Sequence, residues 1–156
     1  MDKLELVVRK SVEEDYDVVD IIINDRNLSD LLREIELPYA LSESDEAECI
    51  AGNYEGLLPE NIFSPSKHLW GESVFEYKYV EGKITLLDCP CGIPGCWPFQ
   101  VKITIMKDKI VWSDFEQPHR SLDNWTYSEM QPFIFDKEQY EKEWKKIYFE
   151  TEKNST

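Results

Sequence analysis

Apolar and polar residues alternate with a period of two in several short segments of this chain. Residues 4–10 are one such segment, residues 17–23 are a nearly continuous run of valine and isoleucine, and the acidic run 13–15 separates the two. A period of two is typical of β-strands, which β-branched side chains also favour. We therefore predict a strand in each segment, the second of them buried on both faces.

The second half of the chain repeats this alternation in residues 73–80, 83–88, 101–105 and 109–115. Short polar pairs lie between neighbouring segments, namely Glu81-Gly82 and Lys107-Asp108. Such pairs are typical of tight turns between strands that run in opposite directions. These segments therefore predict an antiparallel meander.

Two segments have a helical period instead. Residues 27–37 carry apolar side chains three and four positions apart, at Leu28, Leu31, Leu32 and Ile35. Asn27 is a good N-cap, and Pro38 is expected to end this helix because proline lacks the backbone N–H donor.

The second predicted helix covers residues 136–150. Asp136 and Gln139 have the spacing of a capping box, and Phe135 and Tyr140 that of a hydrophobic staple. The apolar face of this helix is expected to consist of Tyr140, Trp144, Ile147 and Tyr148.

The length of 156 residues and the hydrophobic content of 42% are typical of one domain with its own core. We predict a single α+β domain over residues 1–152, in which an antiparallel β-meander sheet is packed by the two helices 27–37 and 136–150. Residues 153–156 are expected to form a frayed tail. Residues 40–72 lack a strong pattern, and a long irregular segment of this kind is typically functional or wraps the core.

The first residues, Met1-Asp2-Lys3-Leu4-Glu5, introduce acidic side chains at once and do not resemble a secretion signal. No apolar run approaches the ~20 residues that a membrane-spanning helix needs. We therefore expect a cytoplasmic protein whose cysteines stay reduced.

Acidic side chains are concentrated at one end of the chain. The formal net charge is −15, and residues 1–60 hold 17 acidic and 5 basic side chains, a net of −12. An acidic face repels nucleic acid and membrane phosphates, so we expect neither as a partner. It could attract a basic protein, or it could simply be a well-solvated surface.

Three of the four cysteines fall within Cys89-Pro90-Cys91-Gly92-Ile93-Pro94-Gly95-Cys96-Trp97-Pro98. Proline and glycine favour tight turns, so the three thiols are expected to lie close together. Zinc takes four tetrahedral ligands, mainly thiolate and imidazole, and His119 could join Cys89, Cys91 and Cys96 in a Cys3His site. The alternatives are half-buried thiols in a stiff turn and thiol redox chemistry. Trp97 is expected to anchor this loop to the sheet, or else to contact a partner.

The two histidines are further candidates for chemistry. His119 lies in the polar segment 112–120, whose acid, amide, imidazole and guanidinium groups could bind a small anion or transfer protons. His68 would support a metal site only if it converged on the cysteines. The fourth cysteine, Cys49, is expected to be buried and inert. The chain contains no Gly-rich phosphate loop, nucleophile elbow or HExxH zinc motif, which argues against an enzyme.

Two motifs are distinctive: Cys91-Gly92-Ile93-Pro94-Gly95-Cys96-Trp97-Pro98, of the form CGxxGCWP, and Phe115-Glu116-Gln117-Pro118-His119-Arg120, of the form FxQPHR. With the segments around them, over roughly residues 52–145, the chain resembles a family of small uncharacterised bacterial proteins. The resemblance implies a bacterial, cytosolic origin and transfers no functional residue, cofactor or activity.

Two functions are compatible with these observations. The first is a non-enzymatic protein-binding module whose acidic face takes a basic partner, for example an immunity protein that neutralises a toxin; it needs no cofactor. The second is a metal-dependent protein, structural or catalytic, with zinc held by Cys89, Cys91, Cys96 and His119.

Overall fold

The computed structural model describes residues 1–11, 15–43, 50–75, 82–120 and 125–146. Within these ranges the strands are β1 (Leu4–Lys10), β2 (Asp17–Ile23), β3 (Arg26–Asn27), β4 (Glu55–Gly56), β5 (Ile84–Asp88), β6 (Phe99–Ile105), β7 (Lys109–Glu116) and β8 (Phe133–Asp136). The helices are α1 (Leu28–Glu43), α2 (Pro59–Ile62) and α3 (Lys137–Trp144), and a 3₁₀ turn spans His68–Trp70. The predicted tail, residues 153–156, lies outside the described ranges.

The first two strands form an antiparallel pair, with Leu4 opposite Ile23 and Lys10 opposite Asp17. Side chains of β1 alternate as its sequence predicts, with Leu4 and Leu6 in the core and Glu5 exposed. β2 is buried at most of its positions, which explains its continuous apolar character. Both predicted strands are confirmed, and the short β3 pairs with the last two residues of β2 as the third strand of this sheet.

The other strands form an antiparallel sheet in the order β4-β5-β6-β7-β8, within the described part of the chain. Two backbone hydrogen bonds join the sheets, from Val19 N to Leu57 O at 2.9 Å and from Asp2 N to Ile134 O at 2.8 Å. The sheets therefore curve around one core as a half-barrel, which the helices pack. This confirms the predicted α+β class and the antiparallel arrangement of the strands.

Helix α1 is longer than its sequence predicts. Asn27 caps it as expected, since its side-chain oxygen accepts from Ser29 N at 2.9 Å. The helix nevertheless continues through Pro38 to Glu43, so the prediction that Pro38 ends it is wrong. A proline inside a helix costs one backbone hydrogen bond. Contacts after the proline offset that cost: Ala40 is fully buried, and Glu43 accepts from Trp125 Nε1 at 2.7 Å.

Helix α3 begins as predicted and ends earlier. Asp136 accepts from Gln139 N at 3.0 Å, and the rings of Phe135 and Tyr140 lie 5.5 Å apart, as a staple requires. The helix ends at Trp144, so the predicted end near residue 150 is wrong for residues 145 and 146. Residues 147–150, which complete the predicted apolar face, lie outside the described ranges.

Side chains of α3 cover the outer edge of β1. The Gln139 amide both accepts from Leu4 N at 3.0 Å and donates to Leu4 O at 2.6 Å. One turn later, Glu143 accepts from Leu6 N at 2.9 Å and Lys146 donates to Leu6 O at 3.1 Å. These bonds replace the neighbouring strand that an edge strand otherwise lacks.

Of the predicted irregular segment 40–72, residues 40–43 belong to α1, so the prediction is wrong there, and residues 44–49 lie outside the described ranges. Residues 50–72 wrap the core and contribute buried apolar side chains at Ala51, Tyr54, Leu57, Ile62, Phe63 and Leu69. Of the predicted strand 73–80, residues 73–75 are not in a strand and the remainder lies outside the described ranges. Strand β8 escapes prediction because four residues are too few to establish an alternation.

Crossing a bilayer requires a long and apolar helix. None of the helices in the described ranges has the length and composition for it.

Candidate metal centre

The cysteine loop, residues 89–98, connects the adjacent strands β5 and β6. Two turns fold it back on itself, closed by hydrogen bonds from Gly92 N to Cys89 O at 3.1 Å and from Cys96 N to Ile93 O at 3.2 Å. Gly92 and Gly95 both have φ of 82°, the left-handed region that side chains disfavour. These glycines explain how cysteines five and seven positions apart return to one place.

The Asp88 carboxylate holds this loop from inside. Its Oδ1 accepts from Cys89 N at 2.8 Å and Trp97 N at 3.0 Å, and its Oδ2 accepts from Gly95 N at 2.8 Å. The side chain is buried at the end of β5, where sheet pairing fixes its backbone. Both ends of the loop are therefore tied to one rigid point.

The thiols of Cys89, Cys91 and Cys96 converge at the top of the loop. Their three sulfur atoms lie within 4.8 Å of one another, and none of the three is in a disulfide. Backbone N–H groups point at two of the sulfurs, from Cys91 to Cys89 Sγ and from Ile93 to Cys91 Sγ, each at 3.4 Å. Cys91 and Cys96 are exposed and Cys89 is half-buried, so an ion can reach the group from solvent.

The three thiols differ in acidity. Hydrogen bonds from the Cys89 thiol and from the backbone N–H of Ile93 lower the pKa of Cys91. Burial, together with the hydrogen bond that the Cys89 thiol makes to Cys91, raises the pKa of Cys89 to about 12. The arrangement thus stabilises a thiolate at Cys91, the sulfur with the two stabilising hydrogen bonds. Thiolates, not thiols, bind metals.

The structure brings together three of the four predicted ligands. His119 lies against the same loop, but its ring is outside the group of converging ligand atoms. Its Nε2 donates to Gly95 O at 3.0 Å, and its ring stacks on Trp97 with 6.0 Å between centroids. His119 therefore supports the loop in this arrangement, and its role as a ligand stays a prediction.

Of the other two candidates, His68 does not join the site. His68 is fully buried, with Nε2 donating to Thr85 O at 2.6 Å and Nδ1 accepting from Val74 N at 3.1 Å. Burial lowers the pKa of His68, so the folded protein keeps it neutral. Cys49 lies outside the described residues.

A buried polar network supports the loop from α1. Glu36, which is fully buried, accepts from Tyr54 Oη and Tyr127 Oη, both at 2.6 Å. Gln117 donates to Tyr54 Oη at 3.2 Å and accepts from His119 N at 3.1 Å. Burial raises the pKa of Glu36, although hydrogen bonds from the two tyrosines and from the Gly52 N–H oppose this rise. The network connects α1 through β7 to the histidine that contacts the cysteine loop.

An aromatic and charged cluster packs beside the sulfurs. The Arg120 guanidinium lies 4.7 Å from the centre of the Trp97 ring and pairs with Glu43 at 3.0 Å. Trp97 also meets the edge of Trp125 at 6.2 Å. Trp97 is thus half-buried within the protein, which agrees with its predicted role as an anchor of the loop.

Two clefts flank the cysteine loop. The large cleft, of about 580 Å³, has Cys91, Gly92, Ile93 and Pro94 on one wall and Tyr16, Gly56, Leu57, Leu58, Glu60, Asn61, Phe75 and Asp88 around it. The small cleft, of about 220 Å³, is lined by Ile50, Asn53, Cys89, Cys96, Trp97 and Arg120. The three thiols therefore lie between the large cleft, which is mostly apolar, and the small cleft, whose lining includes the Arg120 guanidinium.

Asp88 is the functional residue that the sequence analysis misses. Aspartate before a turn often bonds the backbone that follows, so its position directly before Cys89 is a usable signal. Its bonds to Gly95 and Trp97 depend on the path of the loop and have no signature in the sequence.

Comparison with known proteins gives no match for this chain among family models, curated proteins or solved structures. The geometry of the site is therefore the basis for a functional conclusion.

Proposed function

We propose that this protein binds a zinc ion through the thiolates of Cys89, Cys91 and Cys96. The observation that carries the proposal is the convergence of the three sulfur atoms within 4.8 Å. Sulfur atoms bound to one tetrahedral zinc lie ~3.8 Å apart, given a zinc–sulfur bond of about 2.3 Å. Small side-chain rotations therefore suffice to close the site on the ion.

The surroundings of the thiols favour a bound cation. The hydrogen bond from Ile93 N–H stabilises a thiolate at Cys91, and the one from Cys91 N–H orients Cys89 Sγ, as is usual around metal-bound cysteine. Three thiolates and Zn²⁺ carry a net charge of −1. The Arg120 guanidinium lines the small cleft with Cys89 and Cys96, and besides its pairing with Glu43 it places a positive charge near this group.

Elemental analysis of protein purified without chelator tests the proposal. We expect about one zinc per chain in the native protein and a strongly reduced content in Cys91→Ser, which removes one thiolate. Cys49→Ser is the matched control, since Cys49 lies 40 residues before Cys89 in the chain, and it should retain the zinc. A native protein that contains no zinc and takes none up from solution would contradict the proposal.

A second candidate function is the binding of a basic protein partner. A cleft of about 400 Å³ supports it, because its lining includes the carboxylates of Asp2, Glu34 and Glu129, apolar side chains of α1 and β8, and no lysine or arginine. The acidic surface is smaller than the sequence indicates, since Glu36, Glu55 and Asp17 are buried.

Binding of a fluorescent peptide of alternating leucine and lysine at low salt tests this second function. Glu129→Lys, at the cleft, should weaken binding by about tenfold or more, because it places a like charge opposite the peptide. The control Glu138→Lys makes the same change in charge at an exposed position of α3 and should have a smaller effect. Equal effects of the two variants would show that only the net charge matters.

A further inference from the structure

The large cleft points to a ligand for the metal itself. Zinc in proteins takes four ligands, and sites with three protein ligands keep the fourth position for water or substrate. In the described part of the chain, the converging ligand atoms are those of Cys89, Cys91 and Cys96. Among the described residues, these three thiolates therefore leave the fourth position of a bound ion without a converging protein ligand.

The cleft next to Cys91 has the size and lining of a small-molecule site. Such sites typically measure ~300–1,000 Å³ and are mostly apolar, and this one measures about 580 Å³. Its walls include the apolar side chains of Leu57, Leu58, Phe75, Ile93 and Pro94. Cys91 and Ile93 lie on the same stretch of loop, so one wall carries both a metal ligand and an apolar side chain.

The polar groups of the cleft argue against a charged anion as the ligand. Glu60 is exposed at this cleft and would repel a carboxylate or a phosphate. The Asp88 carboxylate also lines the cleft and already accepts hydrogen bonds from three backbone N–H groups, so it offers no attraction to an anion. A ligand that is neutral in solution and apolar over most of its surface fits this lining.

We propose that the large cleft binds a small neutral thiol with an apolar body, whose sulfur takes the fourth position on the metal. The inference rests on the proposed metal site. Thiolate sulfur is a preferred ligand of zinc, and a cleft of about 580 Å³ lined by Leu57, Phe75 and Ile93 has room for an apolar body such as a benzene ring.

Binding of the thiol exchanges one metal ligand for another and needs no co-reactant. The thiol S–H bond breaks, a metal–sulfur bond forms, the water at the fourth position leaves, and the proton passes to solvent. No electron is transferred.

Cobalt substitution provides a direct readout, since Co²⁺ bound by thiolates absorbs through sulfur-to-metal charge transfer. Absorption on adding Co²⁺ to the metal-free protein, lost in Cys91→Ser, reports the proposed metal site. Its absence would overturn the proposed function and this inference together. With Co²⁺ bound, benzyl mercaptan should add further charge-transfer absorption, and benzyl alcohol, with oxygen in place of sulfur, should add none.

The apolar body is tested with a second thiol and two variants. Benzyl mercaptan should bind about tenfold or more tightly than 2-mercaptoethanol, because its ring is buried in the cleft. Ile93→Asn should reduce that preference severalfold and leave the affinity for 2-mercaptoethanol unchanged. Ile93 is 63% exposed, so the variant should fold, and Ile105→Asn, at a position 40% exposed on β6, is the control.

Three results would overturn the inference while leaving the metal site in place. They are a cobalt spectrum that does not respond to benzyl mercaptan, equal affinities for the two thiols, and extraction of the cobalt by the thiol instead of binding to it.

Discussion

The Asp88 side chain accepts three backbone hydrogen bonds that come from opposite ends of the cysteine loop. Hydrogen bonds to a charged group contribute about 1.5–3 kcal/mol each when they are shielded from solvent. The loop has few other internal bonds, since its two turns each close with one backbone bond in the described structure. The position of the three thiols therefore depends on this one carboxylate.

Asp88→Asn tests that dependence. The amide keeps one acceptor oxygen and turns its NH2 group towards a backbone donor, so we expect the free energy of unfolding to fall by about 3 kcal/mol. Zinc affinity should fall by about tenfold or more, as for other residues that orient metal ligands. Denaturant titration and competition with a zinc chelator measure the two effects.

The control for this prediction is Asp114→Asn, because Asp114 is exposed and asparagine tolerates its φ of 54°. It should change neither stability nor zinc affinity. An Asp88→Asn protein with the stability and zinc affinity of the native chain would show that turn geometry alone positions the thiols.

The candidate site can be predicted from the sequence only as far as it is local. Cys89, Cys91 and Cys96 fall within eight residues among prolines and glycines, so their convergence follows from short-range geometry. His119 is remote in sequence, and whether its ring points to the sulfurs or to Gly95 depends on the packing of β7. The link from Glu36 through Tyr54 to Gln117 joins residues that are far apart in the sequence and leaves no local pattern.

At the scale of elements, α3 does for β1 what a neighbouring strand would do. Gln139 satisfies both backbone groups of Leu4, and Glu143 and Lys146 satisfy those of Leu6. The helix and the strand are more than 120 residues apart in the chain. Long side chains placed one helical turn apart match the two-residue repeat of the strand edge.

Gln139→Met keeps the length and helix propensity of the side chain and removes both hydrogen bonds to Leu4. We expect the free energy of unfolding to fall by about 2 kcal/mol, because two partly buried backbone groups lose their partners. Lys142→Met, at an exposed position of the same helix, should change stability by less than about 0.5 kcal/mol. Similar losses in both variants, measured by denaturant unfolding, would mean that the bonds at the edge contribute nothing.

Elements with a clear period are predictable, and those shaped by tertiary contacts are not. The observed bounds agree within one or two residues with the predicted segments for β1, β2, β5, β6 and β7. Pro38 is a valid stop signal for an isolated helix, and the contacts of Ala40 and Glu43 with the core override it. Strand β8 forms by pairing with β7, and its four residues are too few to show a period in the sequence.

At the scale of the whole molecule, two buried ionisable groups make stability depend on pH in opposite directions. Burial lowers the pKa of His68 below its ordinary 6.5, so below that pH the unfolded chain binds a proton at His68 that the folded chain does not bind. Its contribution is present above about pH 6.5 and is lost as the pH falls further. Burial raises the pKa of Glu36 above its ordinary 4.5, so its contribution is present below that value and is lost as the pH rises through the folded-state pKa.

His68→Gln should flatten the acid side of the stability profile. Between pH 6.5 and 5.5 the native protein should lose up to about 1.4 kcal/mol more than the variant, the limit set by one proton. Denaturant unfolding in the presence of chelator measures this without a contribution from bound metal. Glu36→Gln removes the group with the opposite pH dependence, so the stability of this variant should fall more steeply with acidification than that of the native protein. Parallel profiles for native protein and His68→Gln would assign the acid sensitivity to other groups.

The covering of β1 by α3 also determines when the outer edge of β1 is closed during synthesis. β1 leaves the ribosome before β2, and it can pair with β2 as soon as residue 23 follows. Its other edge, at Leu4 and Leu6, waits for Gln139, Glu143 and Lys146. A nascent chain that stalls before residue 137 presents an open strand edge to neighbouring chains on the same messenger. Translation of the 8 residues of α3 and the two that follow closes it.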